Sequence, residues 1–213
     1  MREVFQQSLQ EVQERLVGIA ELVEQSITQA TAAFGNSDVA LAENVLDEAE
    51  QIGELALALD ELAIDILARQ QPVASDLRLV VGALRMGASL QRMGDLAEHI
   101  AQLSRYRYPE SAIPKGLSKT FARMGELDVE MAQLVVKLLS TQDPEVIEAI
   151  RDLDDDLDEL HAKVFEKVLS DKLANNPMGV VDATLASRYH ERFGDYAVSV
   201  AKQMRYFLVG ELA

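Results

Sequence analysis

The chain has 213 residues and no cysteine. That excludes disulfides, thiolate zinc sites, iron–sulfur clusters and cysteine nucleophiles, and it fits a reducing cytoplasm. Tryptophan is absent and aromatic residues make up only 5%. No run of ~18 apolar residues occurs, so no segment is expected to span a membrane. The first residues, Met1 to Gln7, show no apolar stretch of signal-peptide type. Positive charge is also scarce: 20 Lys and Arg stand against 36 Asp and Glu, a net charge of −16. Duplex nucleic acid, which is bound through a basic surface, is therefore not an expected partner. A cation or a basic protein surface is. The sequence has no glycine-rich phosphate loop and no G-x-S-x-G. No serine and histidine are spaced as nucleophile and base.

What is present is apolar and helix-forming. Apolar residues reach 48%, enough for a core. Phe5, Leu9, Val12, Leu16, Ile19, Val23, Ile27, Ala30 and Phe34 recur every three or four residues, which predicts one long amphipathic helix. Gly35-Asn36-Ser37-Asp38 ends it and caps the next. A second helix is expected over about 39–69, along Val45, Ala49, Ile52, Ala56, Leu59, Ala63 and Ile66. From Asp38 to Asp65 it carries nine acids and no Lys or Arg. Pro72 breaks it. Ser75 is the expected N-cap of a third helix over about 76–106. This helix is rich in Gly82, Ala83, Gly87, Ala88, Gly94 and Ala97, and basic through Arg78, Arg85, Arg92 and Arg105. An acidic helix beside a basic one would be complementary. Arg107 to Gly116, with two prolines and a glycine, reads as a linker.

The pattern then restarts. A fourth helix is expected over about 117–139. Asp143-Pro144 opens a fifth, with the acidic run Asp152 to Glu159. Asn175-Asn176-Pro177 breaks it, and a sixth runs over about 179–208. Three long helices per unit with short connections predict an all-α protein of two repeated three-helix bundles. The units span 1–107 and 117–213, with 108–116 between them.

A repeated motif supports the duplication. Arg92-Met93-Gly94-Asp95 recurs 100 residues later as Arg192-Phe193-Gly194-Asp195, each near the end of its unit. In the second copy Glu191 and Asp195 are four apart, hence on one helix face. If the fifth and sixth helices fold back near Asn176, Asp158 stands level with Asp195, and Asp154, Asp155 and Glu191 lie about one turn away. Such carboxylates repel one another unless a cation joins them. All-oxygen donors suit hard ions such as magnesium, calcium, manganese or ferric iron, and His161, one turn from Asp158, could add a nitrogen. A solvated acidic face, with Arg192 neutralising Asp195 or Asp158, explains the same residues. The first unit offers a poorer set: Glu50 and Asp95, with Gln91 and Gly53 where the second unit has Glu191 and Asp158. His99 reads as a surface or capping residue. Gly82, Gly87 and Gly94 read as helix-packing positions.

The segment Leu67-Ala68-Arg69-Gln70-Gln71-Pro72-Val73-Ala74-Ser75-Asp76-Leu77-Arg78 closely resembles the L-A-R-x-Q-P-V-A-x-D-L-R signature of the PhoU family, phosphate-signalling regulators. That family's E-R-I-G-D-H-A repeats are matched by Glu191 to Ala197 and, less well, by Gln91 to Ala97. The resemblance covers nearly the whole chain. It implies two three-helix bundles related by pseudo-twofold symmetry and iron or zinc held through E/D-x-x-x-D motifs. It also implies negative regulation of the phosphate-starvation response, linking the ATPase subunit of the phosphate ABC transporter to a sensor histidine kinase. By position, the second-unit motif is intact at Glu191 and Asp195, with Asp154, Asp155 and Asp158 opposite. The first unit departs from it at Ser89, Gln91 and Gly53.

The combined expectation is a non-enzymatic, metal-binding helical adaptor. The metal is iron, zinc, magnesium or manganese, and the location is the cytoplasm or, through partners, the inner face of the membrane. A homodimer is compatible with this. Two alternatives remain: a metal-dependent enzyme using the acids, and a helical adaptor without metal.

Overall fold

A computed structural model of the chain describes residues 2–170 and 176–210. Six helices follow in order: α1 (Arg2–Asn36), α2 (Val39–Gln70), α3 (Ala74–Arg107), α4 (Ser118–Thr141), α5 (Glu145–Val168) and α6 (Pro177–Val209). Among the described residues there is no strand, and no helix is long and apolar enough to cross a membrane.

The stripes expected from periodicity form the core. Leu9, Val12, Leu16, Ile19, Val23, Ile27, Ala30 and Phe34 are buried along α1, and Val45, Ile52, Leu59 and Ile66 along α2. Each large aliphatic side chain so removed from water contributes roughly 1.5–3 kcal/mol. Within each unit the helices pack on one another. Between units α1 packs on α4 and α3 on α6, which pairs each of these helices with its own counterpart. That is the contact pattern of a twofold arrangement. The outer helices α2 and α5 touch no helix of the other unit. A single apolar cluster runs through both units, and the connection between them joins it: Ala112 and Leu117 are buried.

Glycines set the closest approaches. Gly87 and Gly94 lie one above the other on α3 and face Leu59 and Ile52 of α2. A side chain at Gly94 would meet Ile52 Cδ1 at 2.9 Å. Gly82 is not such a position, since its nearest neighbour is Met86 of its own helix, at 3.7 Å.

Several expected details differ. Ser75 is not the N-cap of α3. The helix begins at Ala74, after an extended Val73 that offers no side-chain cap. Pro72 forces the chain out of α2, and left-handed residues at Gln71 and Ala74 complete the reversal, leaving Ser75 inside the first turn. At the start of α5, Pro144 takes the cap position, and Asp143 accepts from the N–H of Glu145 at 3.0 Å. Of the break at Asn175-Asn176-Pro177, Asn175 lies outside the described residues. Asn176 caps α6, its side chain accepting from the Gly179 N–H at 3.0 Å. The complementarity of α2 and α3 is thin: among the described residues one ion pair joins them, Arg105–Glu43 at 3.9 Å. Arg107 turns instead to the other unit and forms a two-pronged bond to Asp182 at 2.5 and 2.8 Å.

Candidate functional site

The acids of the second unit meet where α5 and α6 pack. Gly194 allows that meeting. A Cβ there would lie 2.5 Å from Asp154 Oδ1 and 3.0 Å from Leu157 Cδ2, so only glycine leaves room for the Asp154 carboxylate against α6. Asp154 is half-buried, while Asp155, Asp158 and Asp195 are exposed. Burial pushes the Asp154 carboxyl up to about 6, and the charges of Asp158, Asp195, Asp155 and Glu191 push the same way. Glu191 is also raised by burial, against the pull of Arg188. These five acids therefore share one electrostatic neighbourhood, as the spacing predicts.

They do not form a ligand shell. Among the described residues no three Asp, Glu or His side chains converge so as to hold an ion. Two arginines of α6 account for part of this. Arg188 Nη1 donates to both oxygens of Glu191 at 2.6 Å, and Arg192 stands 3.6 Å from Asp195 while packing on the ring of Tyr196. His161 turns its Nδ1 to the hydroxyl of Ser187 at 2.7 Å. The donor chemistry fits a hard cation, with oxygens on two facing helices and a repulsion that an ion would relieve. The arrangement of the side chains does not yet grip one.

The first unit brings fewer acids to the matching place. Gln91 does face Gly53, since a Cβ at Gly53 would lie 3.7 Å from Gln91 Nε2. Asp95 is paired with Arg92 at 2.8 Å, and Glu50 is exposed.

These two halves match one family description twice: the PhoU domain, over residues 16–104 and again over 121–204. The chain belongs to the PhoU family. Over 210 residues it is 37% identical to the phosphate-specific transport system accessory protein PhoU homolog 2 of Mycobacterium tuberculosis, covering 99% of both chains. It is 36% identical to PhoU homolog 1 of Mycobacterium leprae, over 99% of this chain and 95% of that one. The crystal structure of PhoU from Pseudomonas aeruginosa superposes with a TM-score of 0.90 at 27% identity, covering 97% of this chain and all of that one.

Sequence reasoning missed two pairs. His190 and Asp128 are buried together, with His190 Nδ1 2.5 Å from Asp128 Oδ2. Burial holds the Asp128 carboxyl up at about 6, and His190 pulls it down. His161 with Ser187 is the other. Asp128 carries the one available signal: it sits between Leu127 and Met131, on the buried stripe of α4. Its partner lies 62 residues away, and no spacing rule names it.

Proposed function

We propose that this chain is a negative regulator of the phosphate-starvation response. In this reading it is a helical adaptor, not an enzyme, that joins the ATPase subunit of the phosphate ABC transporter to a sensor histidine kinase. Membership of the PhoU family over both units carries the reading, and relatives named as phosphate-specific transport system accessory proteins support a role in that transport system. The outer helices supply surface for partners. Glu43, Asp47, Glu50, Glu54 and Glu61 are exposed on α2, and Asp152, Asp155, Asp156, Asp158 and Glu159 on α5. Such faces steer a basic surface toward them. The adaptor works in the cytoplasm or, held by partners, at the inner face of the membrane. Deleting the gene should switch on phosphate-scavenging genes in phosphate-rich medium. Unchanged transcript levels, in a strain with no second copy of the family, would count against the regulatory role.

A bound cation is part of the proposal. Asp154, Asp155, Asp158, Glu191 and Asp195 would hold iron, zinc, magnesium or manganese, and the ion would supply positive charge that lets all of these acids ionise together. The self-repulsion around half-buried Asp154 supports this. Arg188 and Arg192 would have to release their partners. A second reading, an adaptor without metal, is favoured by those same arginines, which already neutralise Glu191 and Asp195. Metal analysis of the purified protein with and without a chelator separates the two.

A further inference from the structure

Away from the acidic face, a cleft of about 840 Å³ opens between the C-terminal end of α1, the inter-unit connection and α4. Phe34, Phe121, Ile113 and Val129 give it apolar walls. Glu126 and Glu130 also line it, and none of its lining residues is Lys or Arg. Glu126 is paired with Arg123 at 3.1 Å on the surface; Glu130 has no ion-pair partner among the described residues. The end of α1, at Gly35 and Asn36, brings the negative pole of one helix to the cleft, and the start of α4, at Ser118, the positive pole of another.

His190 belongs to the same lining. It is 1% exposed, and Asp128, bonded to its Nδ1, is 0% exposed. Its Nε2 is buried, and among the described residues it has no hydrogen-bond partner. An unpaired buried polar atom costs about 1–3 kcal/mol, so a partner that completed it would be favoured. In the neutral tautomer that donates Nδ1–H to Asp128, Nε2 carries the lone pair and takes a donor. Phe34 and Phe121 pack around the imidazole, at ring-centre distances of 6.3 and 6.0 Å. One of these rings must shift for an incoming donor to reach Nε2.

We propose that this cleft binds a small organic cation with an apolar body, of the arylalkylamine class. The body lies on the phenylalanine walls, and the ammonium group, drawn by Glu130, is the N–H donor that reaches His190 Nε2. Anions, phosphate included, are disfavoured by Glu130, whose charge no described cation offsets. This is a ligand site separate from the α5–α6 acids and does not depend on their binding metal.

The chain has three histidines, so the imidazole NMR signals of the full-length protein report on this site individually. Titration with phenylethylammonium should shift the His190 signals to saturation and leave His99 unmoved. Phenylpropionate, of similar size and opposite charge, and inorganic phosphate should leave His190 unmoved. Ala122 is exposed and lines the cleft, so Ala122→Trp fills it from the solvent side and should abolish the shift. Glu126→Gln with Glu130→Gln, both at exposed positions, should weaken binding roughly three- to tenfold. The proposal is overturned if His190 shows no saturable shift, or if phenylpropionate binds equally well. It is also overturned if affinity is unchanged in the double Gln variant. That variant decides alone if Ala122→Trp does not fold by circular dichroism.

Discussion

Gly94 of the first unit packs against Ile52, whereas Gly194, its counterpart 100 residues later, packs against Asp154 and Leu157. Matching Leu55 to Leu160 aligns Ile52 with Leu157 and Ala49 with Asp154. Ala49 is buried in the first unit, and a half-buried acid replaces it in the second. The centres of the bundles differ likewise. Leu90 stands where the second unit has His190. Aligning Glu21-Leu22 with Glu126-Leu127 places Val23 opposite Asp128. Both Leu90 and Val23 are fully buried apolar residues. One backbone plan thus carries a dry first unit and a second unit with ionisable groups at two matched depths. The first unit shows that the fold does not need those groups, so their presence in the second points to work other than holding helices together.

The largest test breaks the buried pair. His190→Leu copies the first unit but leaves Asp128 buried and alone, and should cost about 3–5 kcal/mol in urea unfolding. Asp128→Val with His190→Leu copies the first unit completely and should return stability to within about 1 kcal/mol of wild type, or above it. A double variant as unstable as the single one would mean the two centres are not interchangeable.

The next test concerns metal. Glu191→Gln gives the second unit the chemistry of Gln91 at nearly constant shape. If the proposed cation site is real, metal affinity should fall by on the order of tenfold, because affinity follows ligand charge. Gln91→Glu should raise metal content or leave it unchanged. Mass-spectrometric stoichiometry, with helicity as the control, reads the result; full occupancy after Glu191→Gln would assign the ion elsewhere.

Smaller effects distinguish the two glycines. Gly94→Ala drives a Cβ toward Ile52, a stiff, fully buried side chain whose Cγ2 is at 3.1 Å, and should cost about 1–2 kcal/mol. Gly194→Ala meets the flexible ends of Leu157 and Met131 and a carboxylate that can swing into solvent. Its cost should be less than about 1 kcal/mol, since alanine also favours the helix. Equal losses in thermal melts would show that Asp154 is as fixed as Ile52.

The smallest effect is that of Asp154→Asn, a gain of up to about 1 kcal/mol after screening by solvent. It should also alter the pH profile of the metal-free protein. The folded state holds the Asp154 proton up to about pH 6, whereas the unfolded chain releases it near the ordinary value of 3.8. Between those values the unfolded state binds fewer protons, so this group's contribution to stability falls as pH rises and is level above the window. The Asn variant should lack that fall. Parallel profiles for variant and wild type would mean that Asp154 is not held protonated.

The six helices, their order and the repeat follow from the sequence alone, because an apolar stripe repeating every three or four residues can be buried only as a helix face, and proline is kept out of helix interiors and so marks their ends and starts. The same local arithmetic places Asp154, Asp158, Glu191 and Asp195 near one another, since rise per residue fixes their height in an antiparallel pair. What it leaves open is rotation and partner choice. Only the packed structure decides that Asp154 faces Gly194 while Asp155 faces water, that Arg188 and Arg192 already hold two of the acids, and that Asp128 finds His190 across the bundle. Such pairings join residues on different helices, where small changes in axial rotation or register exchange one neighbour for another. Burial then sets how strongly each charge is felt, and burial belongs to the tertiary structure.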